Sequence, residues 1–195
     1  MPTDPPMYFP LPDLPSPVSA NQLSSELGIA RTGVRELLCS GYVDQLCGAT
    51  PDSPAAFNVN GAPATTAAAL ERLLQVKQVE EHEFTLNVRV RAARESSDPD
   101  RDVMGWHARL TKEQLDLSIA QWWSEPSRDV KGAAFIATIA GFVVAHVRIK
   151  NWRLERGQSS YSIDWDDVDV ARQWGGRRVE LNQKGGTVVY HESTL

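Results

Sequence analysis

The stretch LSSELGIARTGVRELLCSGYV, residues 23–43, decides how the first third of the chain is read. Its apolar positions Leu23, Leu27, Ile29, Val34, Leu37 and Leu38 repeat at the three- and four-residue spacing of helix faces that pack together. Gly28 breaks the pattern where a turn is needed and Gly41 closes it, which predicts two short helices. The first runs through SANQLSSELG with Ser19 as its N-cap, and the second through ARTGVRELLCSG. Gly33 sits inside the second helix, where glycine costs about 1 kcal/mol relative to alanine. A glycine kept there permits a close backbone approach.

Working outward, a small residue (Ser24 or Ser25), the glycine turn and an apolar Ile29 resemble a helix–turn–helix. Arg31, Thr32, Arg35 and Glu36 then occupy the start of what would be its recognition helix. YVDQLCGATPDSPAAFNVNG suits a small wing with AAFNVN as its returning strand, and PATTAAALERLLQVKQ reads as a third helix of strong helix formers. The electrostatics oppose a strong DNA element. Residues 1–75 hold only Arg31, Arg35 and Arg72 as cations against seven acidic residues. Phosphate contacts dominate DNA affinity, so this module alone binds weakly.

The 195 residues suit one large or two small domains, and 42% hydrophobic residues can fill a core. A net charge of −5 argues against coating nucleic acid through bulk charge, so any such contact has to be a local patch. Cys39 and Cys47 match no zinc spacing and read as reduced thiols, which with the absence of a signal-peptide pattern points to the cytoplasm. The most apolar window, GAAFIATIAGFVVAHVRI, carries His146 and Arg148 and suits buried strands better than a membrane span. Residues 1–17 hold most of the prolines and read as an extended arm.

Beyond about residue 80 the period changes to two. In EFTLNVRVRAA, Phe84, Leu86, Val88 and Val90 share one face, and Thr85, Asn87, Arg89 and Arg91 the other. VMGWHARL reads as a strand, and TKEQLDLSIAQWW as a helix opened by a Thr111–Gln114 capping box. AAFIATIAG and FVVAHVRIKNW read as strands, RLERGQSS as a loop, YSIDW as a strand, DDVDVARQWGG as a short helix and GTVVYHES as the last strand. Along 142–152, strict alternation puts Phe142, Val144, His146, Arg148, Lys150 and Trp152 on one face and Val143, Ala145, Val147 and Ile149 on the core side. The expectation is an α+β protein: a proline-rich arm (1–17), a helix–turn–helix or winged-helix-like domain (18–78), and a curved sheet or small barrel with short helices (79–195).

From Leu115 onward the order AQWW, AGFVVAHVRIKNW, YSIDW and ARQWGGRRVELNQKGGTVVYHES resembles the PUA-like superfamily, the ASCH, EVE, YTH and SRA types, over about residues 80–195. The resemblance rests on element order and scattered residues, without a diagnostic catalytic motif. It implies nucleic-acid or nucleotide binding, with a modified or flipped base held between aromatic walls. All six tryptophans lie between Trp106 and Trp174. Trp122, Trp123, Trp152, Trp165, Tyr161 and Asp164 are the candidate base pocket, although a tryptophan in such a domain is more often core. Arg148, Lys150, Arg177, Arg178 and Lys184, with Arg31 and Arg35, are the candidate phosphate contacts.

Enzyme signatures are missing from the sequence: there is no P-loop, no GxGxxG after a strand and no GxSxG. His82, His107, His146 and His191 are scattered without metal spacing, and carboxylate pairs such as Asp164 and Asp166 arise by chance among 25 acidic residues. The reading is therefore a non-enzymatic nucleic-acid-binding protein without cofactor or metal. Its partner is DNA, with 5-methylcytosine as one candidate base. RNA and self-association are left open, and no membrane is involved. The alternatives are a protein-interaction accessory domain, and third a small-molecule or nucleotide-processing enzyme using His107 or His146.

Overall fold

A computed structural model describes residues 17–50, 53–79, 84–99, 101–121, 123–155, 157–180 and 188–191. Most of the proline-rich arm, His82, Trp122, Lys184 and the glycine pair 185–186 lie outside the described residues.

The first part runs β1 (Val18–Ser19), α1 (Ala20–Leu27), α2 (Arg31–Cys39), α3 (Tyr42–Cys47), β2 (Ala56–Val59), β3 (Ala62–Thr65) and α4 (Ala67–Gln75). Ser19 caps α1 in a reciprocal box with Gln22, and Gly28 ends it in the left-handed conformation, as the spacing predicts. Two elements differ from the expectation. Residues 42–47 form a further helix, because Gly41 restarts the chain rather than releasing it into a wing. Residues 62–65 are a strand, so the third helix begins only after Thr66, whose hydroxyl accepts from the Ala69 amide at 3.1 Å. The unread signal is Asn60–Gly61: both have positive φ, and this pair makes the two-residue turn that folds β2 onto β3.

The second part holds β4 (Thr85–Arg89), β5 (Arg94–Glu95), β6 (Val103–Met104), α5 (Lys112–Ile119), β7 (Ala134–Ile139), β8 (Phe142–Glu155), β9 (Gln158–Asp164), α6 (Val168–Trp174) and β10 (Val188–His191). The main sheet is five-stranded, in the order β10-β4-β7-β8-β9, with β4 parallel to β7 and the other pairs antiparallel. β5 and β6 form a small separate arm, so VMGWHARL contributes only two strand residues. RLERGQSS is no loop: β8 and β9 continue through it and turn at Gly157. The six described helices and mixed sheet make the chain α+β.

Two bulges overturn the strict alternation along β8. Thr138 pairs with Val143 but Ala137 with Ala145, so Val144 is an extra residue; Ile149 pairs with Ile163 but Asn151 with Ser162, so Lys150 is another. Each bulge exchanges the faces. Phe142 therefore joins Ala145, Val147 and Ile149 in the main core, while Val143 joins Ala134, Ile136 and Trp174 under α6. Trp152 faces the same side as its partner Tyr161, packed against the main core, and leaves the side of His146 and Arg148.

The main core is continuous from the N-terminal helices to the sheet. Leu23, Val34 and Leu37 belong to one cluster with Leu86, Phe135 and Val147. The Tyr42 ring meets those of Trp106 (6.4 Å) and Phe142 (5.8 Å). The close approach at Gly33 is intramolecular: a Cβ there would lie 3.0 Å from the Ala140 Cβ, in the turn between β7 and β8. Glu36 Oε2 accepts from the Ala92 amide at 2.7 Å, and Ser40 O from the Ala108 amide at 3.0 Å. One flank of α2 is thus seated on the sheet, and Arg31, Thr32, Arg35 and Cys39 remain exposed on the other.

Candidate nucleic-acid interface

A cluster of cations lining one cleft arises where β4 ends. Arg89, Arg91, Arg94 and Arg101 fall within thirteen residues and line one cleft of about 230 Å³ with Val90, Met104 and Gly105. Ser118, Gln121 and Trp123 complete its wall from the end of α5. Folding the arm back makes this convergence. The Trp106 amide donates to Arg91 O and the Ala93 amide to Trp106 O, each at 2.9 Å, with Arg94 opposite Met104 across β5–β6. Gly105 is required here: its φ is +91°, and a Cβ would lie 2.6 Å from Arg91 O.

The four cations are not equivalent. Arg101 Nε lies 3.5 Å from Asp98 Oδ2, with its side chain only 10% exposed, and Arg89 is half-buried. Arg91 and Arg94 are exposed. Glu95 on β5 and Asp102 are exposed acids on the same arm. Trp123 is half-buried; its Nε1–H donates to Ile119 O at 2.6 Å, and its backbone bridges to Ser159. That fixes the indole at the pocket wall.

A second cleft of about 320 Å³ lies against the first, and Gln121 lines both. Its other walls are Trp152, Tyr161, Asn151, Arg153, Ser160 and Ser162. The Trp152 indole is held by a 3.0 Å bond from Nε1–H to Asp129 Oδ1. This bond and that of the Lys131 amide keep the Asp129 carboxyl below its ordinary range, the amide bond being the larger cause.

The expected aromatic pocket is therefore divided. Trp123 belongs to the arginine cleft, and Trp152 with Tyr161 to its neighbour. Trp165 lines neither; its Nε1–H donates to Asp116 Oδ1 at 2.5 Å and its ring packs on the main core. Asp164 lines neither; it accepts from the Asp166 amide at 3.1 Å and lies 3.3 Å from Lys150 Nζ, contacts that lower its pKa. Trp106 and Trp174 are core.

The expected phosphate stripe on β8 is largely neutralised. Arg148 Nε donates to Asp167 Oδ2 and Nη1 to Gly132 O, both at 3.0 Å, and Arg148 lowers the Asp167 pKa. Lys150 faces Asp164. Arg177 and Arg178 are half-buried, and their backbone extends the sheet: the Val143 amide donates to Arg177 O and the Arg178 amide to Lys77 O, each at 3.0 Å. Arg31 and Arg35 are exposed as expected. The sequence pattern assigns Arg89 and Arg91 only to a strand face, and gives no site role to them or to Arg94, Arg101 and Gln121. The run RVRAAR followed by Arg101 was the available signal, lost because alternation alone does not bring an arm back onto a strand end.

The histidines occupy different settings. His146 lies beneath α6, its Nε2 3.4 Å from where a Gly175 Cβ would be, and burial lowers its pKa. His107 lines a cleft of about 540 Å³ with Cys39, Asp44 and Arg109. Its Nδ1 accepts from the Arg109 amide at 3.1 Å, and burial, then Arg109, lower its pKa. Among the described residues no three His, Cys, Asp or Glu side chains are grouped to hold a metal, and no helix is long and apolar enough to cross a membrane. Comparison with protein-family models, curated proteins and solved structures gives no match to this chain.

Proposed function

We propose that this protein binds nucleic acid, DNA in the first instance, by drawing one base into the arginine cleft against Trp123. The observation that carries this reading is the convergence of four arginines on one tryptophan-walled pocket in a chain of net charge −5. A local cation cluster in an acidic protein directs an anionic ligand to one place, where bulk charge would repel it. The volume supports a single base rather than a larger ligand, since drug-sized pockets run about 300–1,000 Å³. Arg91 and Arg94 contact the phosphates, Trp123 offers a stacking face, and Gln121 can donate to and accept from a base edge. A base enters such a cleft only from a single strand or flipped out of a duplex. A modified cytosine, flipped from a duplex, is the candidate the PUA-like resemblance supplies. Arg31 and Arg35 on the exposed flank of α2 contribute auxiliary phosphate contacts, the helix–turn–helix part of the reading.

The test is a titration with single strands and with unmodified and 5-methylcytosine duplexes at 50 and 200 mM salt. Arg91→Ala with Arg94→Ala is expected to reduce the single-strand slope of log affinity on log salt by about 1.4, at about 0.7 per phosphate contact. No binding to any of these at the lower salt refutes the reading.

A further inference from the structure

Two aromatic clefts side by side have a use that one does not. The arginine cleft and the Trp152–Tyr161 cleft share Gln121 as a common wall. Each offers one tryptophan of fixed orientation: Trp123 through its bond to Ile119 O, Trp152 through its bond to Asp129. Cations line both, Arg91 and Arg94 the first and Arg153 the second.

We infer that the second cleft is a subsite for the adjacent base, so that the protein grips two consecutive unpaired nucleotides of a single strand. This rests on the proposed function and extends it from one base to a dinucleotide. One base stacks on Trp123 and its neighbour on Trp152, with the Gln121 side chain between them. The linking phosphate crosses the Gln121 ridge, and the flanking phosphates run toward Arg94 and Arg153. Stacking is sequence-tolerant because every base has a π-face, so the second subsite adds affinity more than sequence preference. A duplex cannot fill both clefts unless two neighbouring bases leave the stack, which makes a single strand or a locally opened duplex the preferred partner.

The experiment compares deoxycytidine 5′-monophosphate with the single-stranded dinucleotide of two 2′-deoxycytidines bearing a 5′-phosphate, by calorimetry or tryptophan quenching, on the full chain. The wild type is expected to bind the dinucleotide at least tenfold more tightly than the mononucleotide. Trp152→Ala is expected to abolish that ratio while leaving mononucleotide affinity within about twofold; Trp152→Phe, which keeps a stacking face without the Asp129 bond, restores most of it. The ratio is internal to each variant, so a general loss of folded protein does not imitate the result. An unchanged ratio in Trp152→Ala, or a wild-type dinucleotide no tighter than the mononucleotide, overturns the second subsite while mononucleotide binding sensitive to Trp123→Ala leaves the single-base pocket standing. Binding of neither probe overturns both. A ribodinucleotide in parallel separates RNA from DNA: tighter binding of the ribose form overturns the assignment to DNA.

Discussion

Replacing Gly33 by alanine tests whether α2 is seated on the sheet. Taken as an isolated helix position, Gly33→Ala stabilises by about 1 kcal/mol. In the folded protein the new Cβ meets the Ala140 Cβ at 3.0 Å, well inside the optimal carbon–carbon separation of about 3.5–4.0 Å. Overpacking of this kind costs about 1–3 kcal/mol. The net expectation is a loss of about 1 kcal/mol, or a Tm lower by about 2–4 °C. Ala140 itself has φ +51°, followed by Gly141 at +87°, so it holds the first position of a two-residue turn that alanine tolerates poorly. Ala140→Gly therefore relieves about 1–2 kcal/mol of backbone strain, partly offset by about 0.5–1 kcal/mol of added chain entropy. In the double variant the nearest remaining neighbour is the residue-140 Cα at 3.8 Å, an ordinary contact, and the helix-propensity gain returns. Urea denaturation of the wild type, both single variants and the double variant closes a cycle with an expected coupling of about 1–3 kcal/mol. A coupling below about 0.3 kcal/mol, with Gly33→Ala stabilising by itself, refutes the seating of α2 on the β7–β8 turn.

Other consequences follow from the same geometry. Gly105→Ala forces a Cβ against Arg91 O at positive φ, so it should lower stability by about 2 kcal/mol or more and weaken oligonucleotide binding together, read by urea melts and anisotropy. Arg148→Ala should cost about 1–2 kcal/mol through its lost bonds to Asp167 and Gly132, yet leave the salt slope of oligonucleotide binding unchanged, because its charge is already taken up. His146 has a folded pKa below its ordinary value of about 6.5, so the unfolded chain binds the proton first. The stability it contributes is complete above about pH 6.5 and is lost as the pH falls below that; urea midpoints at pH 7.5 and 5.5 should converge in His146→Gln relative to wild type.

Much of the fold was written locally. Ser19 with Gln22 and Thr111 with Gln114 fix two helix starts within four residues each, and Gly28 fixes a helix end. The buried strand 134–139 is equally legible, because an apolar run of strand length states its own burial; in β4 the pattern marks only Leu86 and Val88, whereas Thr85 and Asn87 on the opposite face are buried as well. What failed was long-range. The partner of Gly33 is Ala140, over a hundred residues away, and no helix rule can name it. The faces of β8 depend on bulges at Val144 and Lys150, which exist only relative to the register of β7 and β9.

The site divides in the same way. The sequence by itself determined that aromatic residues and arginines are concentrated behind residue 88, since composition is a local property. Helix spacing likewise placed Arg31 and Arg35 at the start of α2, where both are exposed. Only the tertiary structure decided which of these groups share a cleft. Arg148 and Lys150 are consumed by Asp167 and Asp164, and Trp165 by Asp116, through contacts between separate elements. Arg91, Arg94 and Arg101 share a cleft with Trp123, beside Gly105, which lets one backbone close on another. Pattern reports which side a residue faces under a regular repeat; register shifts and backbone closure, set by packing at a distance, report what it finds there.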